Sequence, residues 1–496
     1  MIPADGCETI EAMTRREALR LLPSLPALSL ASTGLRGQTP SKPAAAAERP
    51  DTFKIYTDGP RLLMRPQRLK LLRRERERRS LRWDQFEALW TGNAQFPELG
   101  WVEAMRFQLA DDREAASRAI AWAVGPADAS RPDDVRQMAI VADWCDSLLS
   151  KSSDDARRQL SAKLEKAASD ARPIRTLSEA RARVFAATAL TDLQPAVSQK
   201  ALQTVFDGFW STTFVPPLRA GKASVSNADA YALLEIMHVI RDNLNFDLRD
   251  TYPEWFRQHP LLHLLAHYPA PWPASDNEFR VPADETIEKT GPDLRKATLS
   301  RAAELAMVAY DANVASSQLL QGWLMNDRYL LRGTLGIPYE LLWANPYQPG
   351  LSYYHVPLAM HDQIGGQLFV RSSWEDDADW AGFFGGQLQL FKDGAVTRVD
   401  PAASREPLDL TAAMVFFARE SKKFVVPAAP PPKEPQRADA VEDSGAAVFI
   451  VGLEAGRPYH VEVDGEEMIE EKADPGGIVF LPSVTAGGVR LGPVKV

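Results

Sequence analysis

From about Pro66 to Asp327, apolar residues recur three and four positions apart. After Pro338 that period gives way to alternation of apolar and polar residues. Spacing of 3–4 lines one face of a helix, whereas alternation lines one face of a strand. The change of period therefore predicts a helical part followed by a sheet part. Segments with helical spacing are Phe86–Trp90, Trp101–Leu109, Arg113–Val124, Asp134–Leu149, Asp154–Ala168, Leu177–Leu190, Ser198–Trp210, Ala228–Ile240, Glu254–Ala266, Arg295–Ala312 and Ser316–Trp323. Short Asp, Ser, Pro and Gly breaks between them imply antiparallel helix hairpins stacked side by side, closed as a ring or open as a solenoid. No fixed-period repeat is evident, which argues against a regular repeat array.

The second part carries strand-like runs around Ser352–Val356, Gln367–Arg371, Asp379–Phe384 and Gln387–Phe391, with a hairpin signal at Asp393-Gly394. Pro427 to Asp439 reads as a linker. Further short strands follow at Ala446–Val451, Tyr459–Val463, Ile478–Leu481 and Val489–Leu491. The expected fold class is α+β multidomain: an (α/α) toroid or helical-hairpin solenoid, then an antiparallel β-sheet or sandwich, then a small C-terminal β unit. The expected boundaries are 51–337 for the toroid, 338–426 for the β domain, 427–440 for the linker and 441–496 for the last unit.

Residues 1–40 read as an export signal of the twin-arginine type. Arg15-Arg16 precede a short apolar run, Leu21–Ala31, and a small-residue exit. A periplasmic or secreted location is the corresponding expectation. No run of about 18 apolar residues occurs, so no helix built to span a bilayer is expected. The net charge of −9 does not favour nucleic acid, because phosphate binding needs a basic face. Seven basic residues within Arg68–Arg79 read as a solvated helix face. Cys7 and Cys145 form no metal-binding pattern, and neither metal nor cofactor is expected.

Three segments carry a family resemblance. They are Gly59-Pro-Arg-Leu-Leu-Met64 with the helix after it, the stretch Leu218–Tyr231, and Val370-Arg-Ser-Ser-Trp374 followed by Glu-Asp-Asp-Ala378. Together they resemble heparinase II/III-like and alginate-lyase-like polysaccharide lyases. The resemblance implies an (α/α) toroid with an antiparallel β-sandwich and β-elimination on uronic-acid polysaccharide, with an oligo- or polysaccharide as partner. In such lyases a tyrosine and a histidine exchange protons while an Asn-His pair neutralises the carboxylate. Tyr231 stands at the position of the family's tyrosine. Asn227 occupies the acidic position of the same motif, where it could also cap the helix. His238, two turns beyond Tyr231, could orient the phenol or sit as a core histidine. The expected Asn-His pair is missing from Leu177–Arg183, where Glu179, Arg181 and Arg183 stand instead and could bind a carboxylate or a neutral sugar. Trp380 to Arg398 holds no histidine.

Read from residue chemistry alone, the Pro-rich stretch Tyr268–Arg280 is the most site-like. Tyr268 and Trp272 could stack on sugar rings, and Asp276, Asn277, Glu278 and Arg280 could bind hydroxyls or carboxylates. Its carboxylates also permit a glycoside hydrolase. A third possibility is a non-catalytic glycan-binding protein on a degenerate lyase scaffold. His259, His263 and His267 share one helix face and read as a polar stripe.

Overall fold

The change of period marks the change of structure. The computed structural model describes residues 53–152, 154–221, 225–244, 246–272, 280–284, 293–326, 333–401, 406–410, 413–419, 422–426, 446–463, 468–484 and 487–494. The segment 1–40, Asp276, Asn277, Glu278 and the stretch 427–440 lie outside the described residues.

In chain order the helices are α1 (Pro66–Glu77), α2 (Leu81–Thr91), α3 (Leu99–Ala110), α4 (Arg113–Val124), α5 (Pro132–Trp144), α6 (Asp146–Ser152), α7 (Asp154–Ala168) and α8 (Leu177–Leu190). There follow α9 (Pro195–Gln203), α10 (Val215–Arg219), α11 (Asn227–Leu244), α12 (Pro253–Leu265), α13 (Leu294–Tyr310), α14 (Ala315–Asn326) and α15 (Gly333–Trp343). Helices α3, α5, α8, α11, α13 and α15 pack one on the next in that order. Tyr339 of α15 then returns to the start of α3. Its hydroxyl bonds Glu98 and its ring lies 5.1 Å from Trp101, which closes a ring. Burial separates inner from outer helices. Helix α8 hides nearly every residue from Ala180 to Leu190, whereas outer α7 hides only the stripe Leu160, Leu164 and Ala168.

Several helix ends follow local rules. The Thr176 hydroxyl accepts from the Glu179 N–H and the Glu179 carboxylate accepts in return, a capping box that starts α8. Asp112 and Asp293 cap α4 and α13 more simply, each carboxylate accepting first-turn backbone N–H groups. Other elements depart from expectation. The run from Ser198 continues past α9 as a π-helix, Thr204–Phe214. Pro338 does not end the helical part; it lies inside α15, which is buried on all sides from Gly336 to Trp343. Packing there outweighs the lost backbone bond of an interior proline. Tyr353–His355 is a 3₁₀ turn, not a strand.

One end of the ring is closed by the segment before α1. The Asp143 carboxylate accepts the N–H groups of Arg61 and Leu62 at 2.7–3.0 Å. Trp144 Nε1 donates to the Leu62 carbonyl and Asn243 Nδ2 to that of Arg61. Arg68 bonds the Leu342 carbonyl and lies over the Trp343 ring. These partners sit at the C-terminal ends of α5, α11 and α15. The N-terminal ends of the inner helices therefore meet at the opposite end.

The sheets stack in layers, and side-chain alternation assigns each face. Strands β1 (Ala359–Asp362), β2 (Gln367–Arg371), β3 (Trp380–Phe384), β4 (Gln387–Lys392) and β5 (Ala395–Val399) form an antiparallel meander. The predicted hairpin joins β4 to β5, with Asp393 and Gly394 both at positive φ. Phe369, Trp380, Phe384 and Phe391 face the helices, while Leu368, Val370, Ala381 and Phe383 face away. Strands β6 (Leu408–Asp409), β7 (Met414–Phe417), β8 (Lys422–Val426), β9 (Ala446–Val451), β10 (Pro458–Val463), β11 (Ile469–Lys472), β12 (Val479–Val484) and β13 (Gly487–Pro493) follow. They form two open sheets, ordered β12-β9-β7-β6 and β11-β10-β13-β8. Val415, Phe417 and Phe449 pack on the meander, and Phe416, Val448 and Ile450 pack on the last sheet. Pairing is antiparallel except between β7 and β9. Strands from either side of residues 427–445 thus share both sheets, and the C-terminal strands make no sheet of their own.

Candidate functional site

A charged network occupies the ring at the end where the inner helices begin. Its centre is Glu235 on α11, fully buried. The Arg136 guanidinium meets it through Nε at 2.7 Å and Nη2 at 2.6 Å, and Arg181 Nη1 reaches it at 2.9 Å. Burial alone would raise the Glu235 carboxyl, but the two guanidiniums outweigh it and hold the group below the usual carboxylate range. Arg181 continues to Asp133 Oδ1 at 2.7 Å, and Arg136 continues to Glu98 Oε2 at 3.4 Å. Glu98 also accepts from Trp101 Nε1 at 2.7 Å.

The network reaches solvent at its rim. Asp133 and Arg295 are about half exposed, whereas Arg136 and Glu235 are sealed. Arg295 Nη2 lies 4.0 Å from Glu98 Oε1 and 3.9 Å from Asp133 Oδ2, loosely placed between the two carboxylates. Those two oxygens are accordingly no more than about 8 Å apart. Glu98 precedes the first turn of α3 and Asp133 lies in the first turn of α5, where helix dipoles favour negative charge.

Tyr231 sits within this network, 1 % exposed. Its hydroxyl donates to Glu235 Oε1 at 2.7 Å and accepts from Trp343 Nε1 at 3.0 Å. Burial, then the Glu235 charge, push the phenol well above its ordinary value. The group expected to take a substrate proton is instead a proton donor to a buried carboxylate. His238 is equally buried. Its Nε2 bonds the Ala306 carbonyl at 3.0 Å, so Nε2 carries the proton, and Nδ1 accepts from Arg241 at 3.3 Å. Burial and the nearby Arg68 and Arg241 charges keep its ring neutral. His238 reaches the phenol only through Trp343, whose ring lies 4.4 Å away. Asn227 opens α11, but its side chain lies outside the described residues. The cap there is Ser226, whose hydroxyl accepts the Asp229 N–H at 3.1 Å.

The described residues of the stretch 268–280, namely 268–272 and Arg280, are anchored elsewhere. Tyr268 is fully buried, its hydroxyl donating to Gln389 Oε1 at 2.7 Å and its ring packed on Trp380 and Phe391. It pins α12 to the meander and does not face a sugar. Trp272 is partly buried beside it, 6.2 Å between ring centres. Arg280 bonds Asp376 and the Pro269 carbonyl. His259 and His263 on α12 and His267 just beyond its end are all buried, and His263 and His267 approach Glu304 at 3.6 and 3.2 Å. Arg371 is buried, its guanidinium 4.3 Å from the Trp374 ring centre.

Sequence reasoning reached Tyr231 and Arg181 but missed Glu98, Asp133, Arg136, Glu235 and Arg295. A signal for Glu235 was present: it follows Tyr231 by four residues, on the same helix face. The others come from separate helices, and only ring closure brings them together.

No protein-family model matches the chain, and no curated protein matches it. A solved structure described as a glycoside hydrolase aligns over 83% of this chain and 74% of its own length, at 11% identity and a TM-score of 0.28.

Proposed function

We propose that this chain is a carbohydrate-active protein that holds a saccharide across the open end of the helix ring, and that bond cleavage there runs through the Glu98 and Asp133 carboxylates. The carrying observation is the pair itself. Two acids, the half-exposed Asp133 and the buried Glu98 just beneath it, lie within about 8 Å of each other, with a half-exposed arginine between them. Glycoside hydrolysis needs two carboxyl groups roughly 5–9.5 Å apart, one as acid and one as base or nucleophile. Arg295 adds donors for sugar hydroxyls or a carboxylate.

The elimination reading shares the saccharide but needs a base at the sugar ring. Tyr231 is poorly placed for that role, because its hydroxyl already donates to Glu235 and burial resists its ionisation. Incubating the purified protein with uronic-acid and neutral polysaccharides separates these chemistries. Hydrolysis releases reducing ends without ultraviolet absorbance, whereas elimination yields an absorbing unsaturated uronate. An absorbing product would overturn the carboxylate reading. A non-catalytic glycan-binding role is supported by how fully the Glu235 network satisfies itself. Saccharide binding with no product by mass spectrometry would establish that role.

A further inference from the structure

Arg181 and Arg183 are two residues apart on α8 and so leave the helix on opposite sides. Arg181 turns into the ring and is answered by Glu235 and Asp133. Arg183 is 8% exposed and, among the described residues, has no hydrogen-bond or ion-pair partner. It lines a cleft of about 270 Å³ with Ser130, Pro132, Arg172, Ile174 and Arg175.

The acids of this cleft are already engaged. Asp170 holds the Arg172 guanidinium at two points, 2.7 and 2.9 Å. Glu179 accepts the backbone N–H groups of Arg175 and Thr176. The Arg175 side chain is exposed at the entrance. A guanidinium keeps its charge under any ordinary condition, and that of Arg183 opens on the cleft with its donors untaken among the described residues. Burial pushes Arg183 down, and the Asp170 and Glu179 charges do not restore it. Pro132 and Ile174 supply apolar wall beside the charge, as a sugar ring requires. Pro132 immediately precedes Asp133 of the rim, so cleft and ring mouth share one helix turn.

We propose that this cleft is an anion subsite, in which Arg183 and Arg175 receive a carboxylate or sulfate carried by the saccharide that enters the ring mouth. The inference deepens the function proposed above and rests on it for the saccharide.

Calorimetric titration of the full chain with D-glucuronate, D-glucose 6-sulfate, inorganic sulfate and D-glucose, at matched ionic strength, tests the proposal without requiring turnover. The expected result is at least tenfold tighter binding of one anionic sugar than of glucose, lost at least tenfold in Arg183→Met. Glucuronate alone binding identifies a carboxylate ligand, and glucose 6-sulfate alone identifies a sulfate ligand. In anion-free buffer Arg183→Met is expected to unfold at no lower temperature than the wild type, because it breaks no hydrogen bond or ion pair among the described residues. Arg175→Gln, at an exposed position, gives a second reading free of folding effects and is expected to weaken the same binding severalfold. Equal affinity for glucose and both anionic sugars, binding unchanged in both variants, or binding of inorganic sulfate alone would overturn the subsite. Anion binding without any cleavage would count against the proposed chemistry and leave the subsite standing.

Discussion

Tyr231 Oη lies 2.7 Å from Glu235 Oε1, one turn further along α11, and donates a hydrogen bond to that carboxylate. The same carboxylate takes three bonds from Arg136 and one from Arg181. A phenol so placed is part of the ring's interior scaffold. It supplies an uncharged donor where a fifth hydrogen bond completes the solvation of a buried anion.

Tyr231→Phe is therefore expected to fold and to keep turnover within a few-fold of the wild type. It leaves Trp343 Nε1 and Glu235 each short of one partner, at a cost of about 1–3 kcal/mol. Denaturant unfolding measures the loss and initial rates measure the turnover. A loss of turnover of a hundredfold or more with the fold intact would return the phenol to the chemistry.

Glu235→Gln should be far more damaging. It removes the counter-charge of two buried guanidiniums, and breaking a buried pair in this way costs about 3–5 kcal/mol. The pH dependence has a definite sign. The Glu235 carboxyl is depressed in the folded protein, so its stabilisation is present above the unfolded carboxyl value of about 4.3 and is lost as pH falls through the folded value. Thermal unfolding from pH 7 down to pH 3 should show the wild type losing its advantage over Glu235→Gln at the acid end. An advantage independent of pH would contradict the network.

Glu98→Gln and Asp133→Asn test the proposed chemistry. Each is expected to cut saccharide cleavage by about a hundredfold or more, the usual contribution of a positioned acid or base. Asp133 is half exposed, so its variant should unfold within a few degrees of the wild type. Reducing-sugar assays and thermal unfolding on the same preparations separate the two effects. Cleavage unaffected by both substitutions would remove the rim from the mechanism.

Much of the fold was legible because period and burial are coupled. The stripe Leu160, Leu164 and Ala168 on α7 and the alternation of Leu368, Phe369 and Val370 in β2 both read directly as faces. Local rules failed where tertiary packing overrode them, as at Pro338 inside the buried α15. The site was less legible for a different reason. Glu98, Asp133 and Arg295 come from three helices and meet only when Tyr339 closes the ring on Glu98. Tyr231 was found by resemblance, but its environment could not be, since whether a phenol faces solvent or a buried carboxylate depends on neighbours distant in sequence. The aromatic stretch at Tyr268 and Trp272 looked site-like through composition alone, and Tyr268 is spent on joining helices to sheet.

The join between the helical and sheet parts offers a test of packing without ionisable groups. Gly322 on α14 lies against the backbone of residues 350–351: a Cβ there would fall 1.9 Å from the Leu351 carbonyl oxygen. That oxygen has little room to retreat, because the Leu351 N–H is bonded to the Gln318 carbonyl at 2.9 Å on the same helix. Tyr353, just beyond, accepts from Asn326 Nδ2 at 2.7 Å and packs on Trp374. Gly322→Ala must therefore either push the crossover away or bend α14, and overpacking of this kind costs about 1–3 kcal/mol. In ordinary helix interiors the same change stabilises by roughly 0.5–1 kcal/mol, so the sign alone decides. Denaturant unfolding of Gly322→Ala is expected to show a lower midpoint than the wild type. A higher midpoint would mean that the crossover does not lie on the helix at this distance.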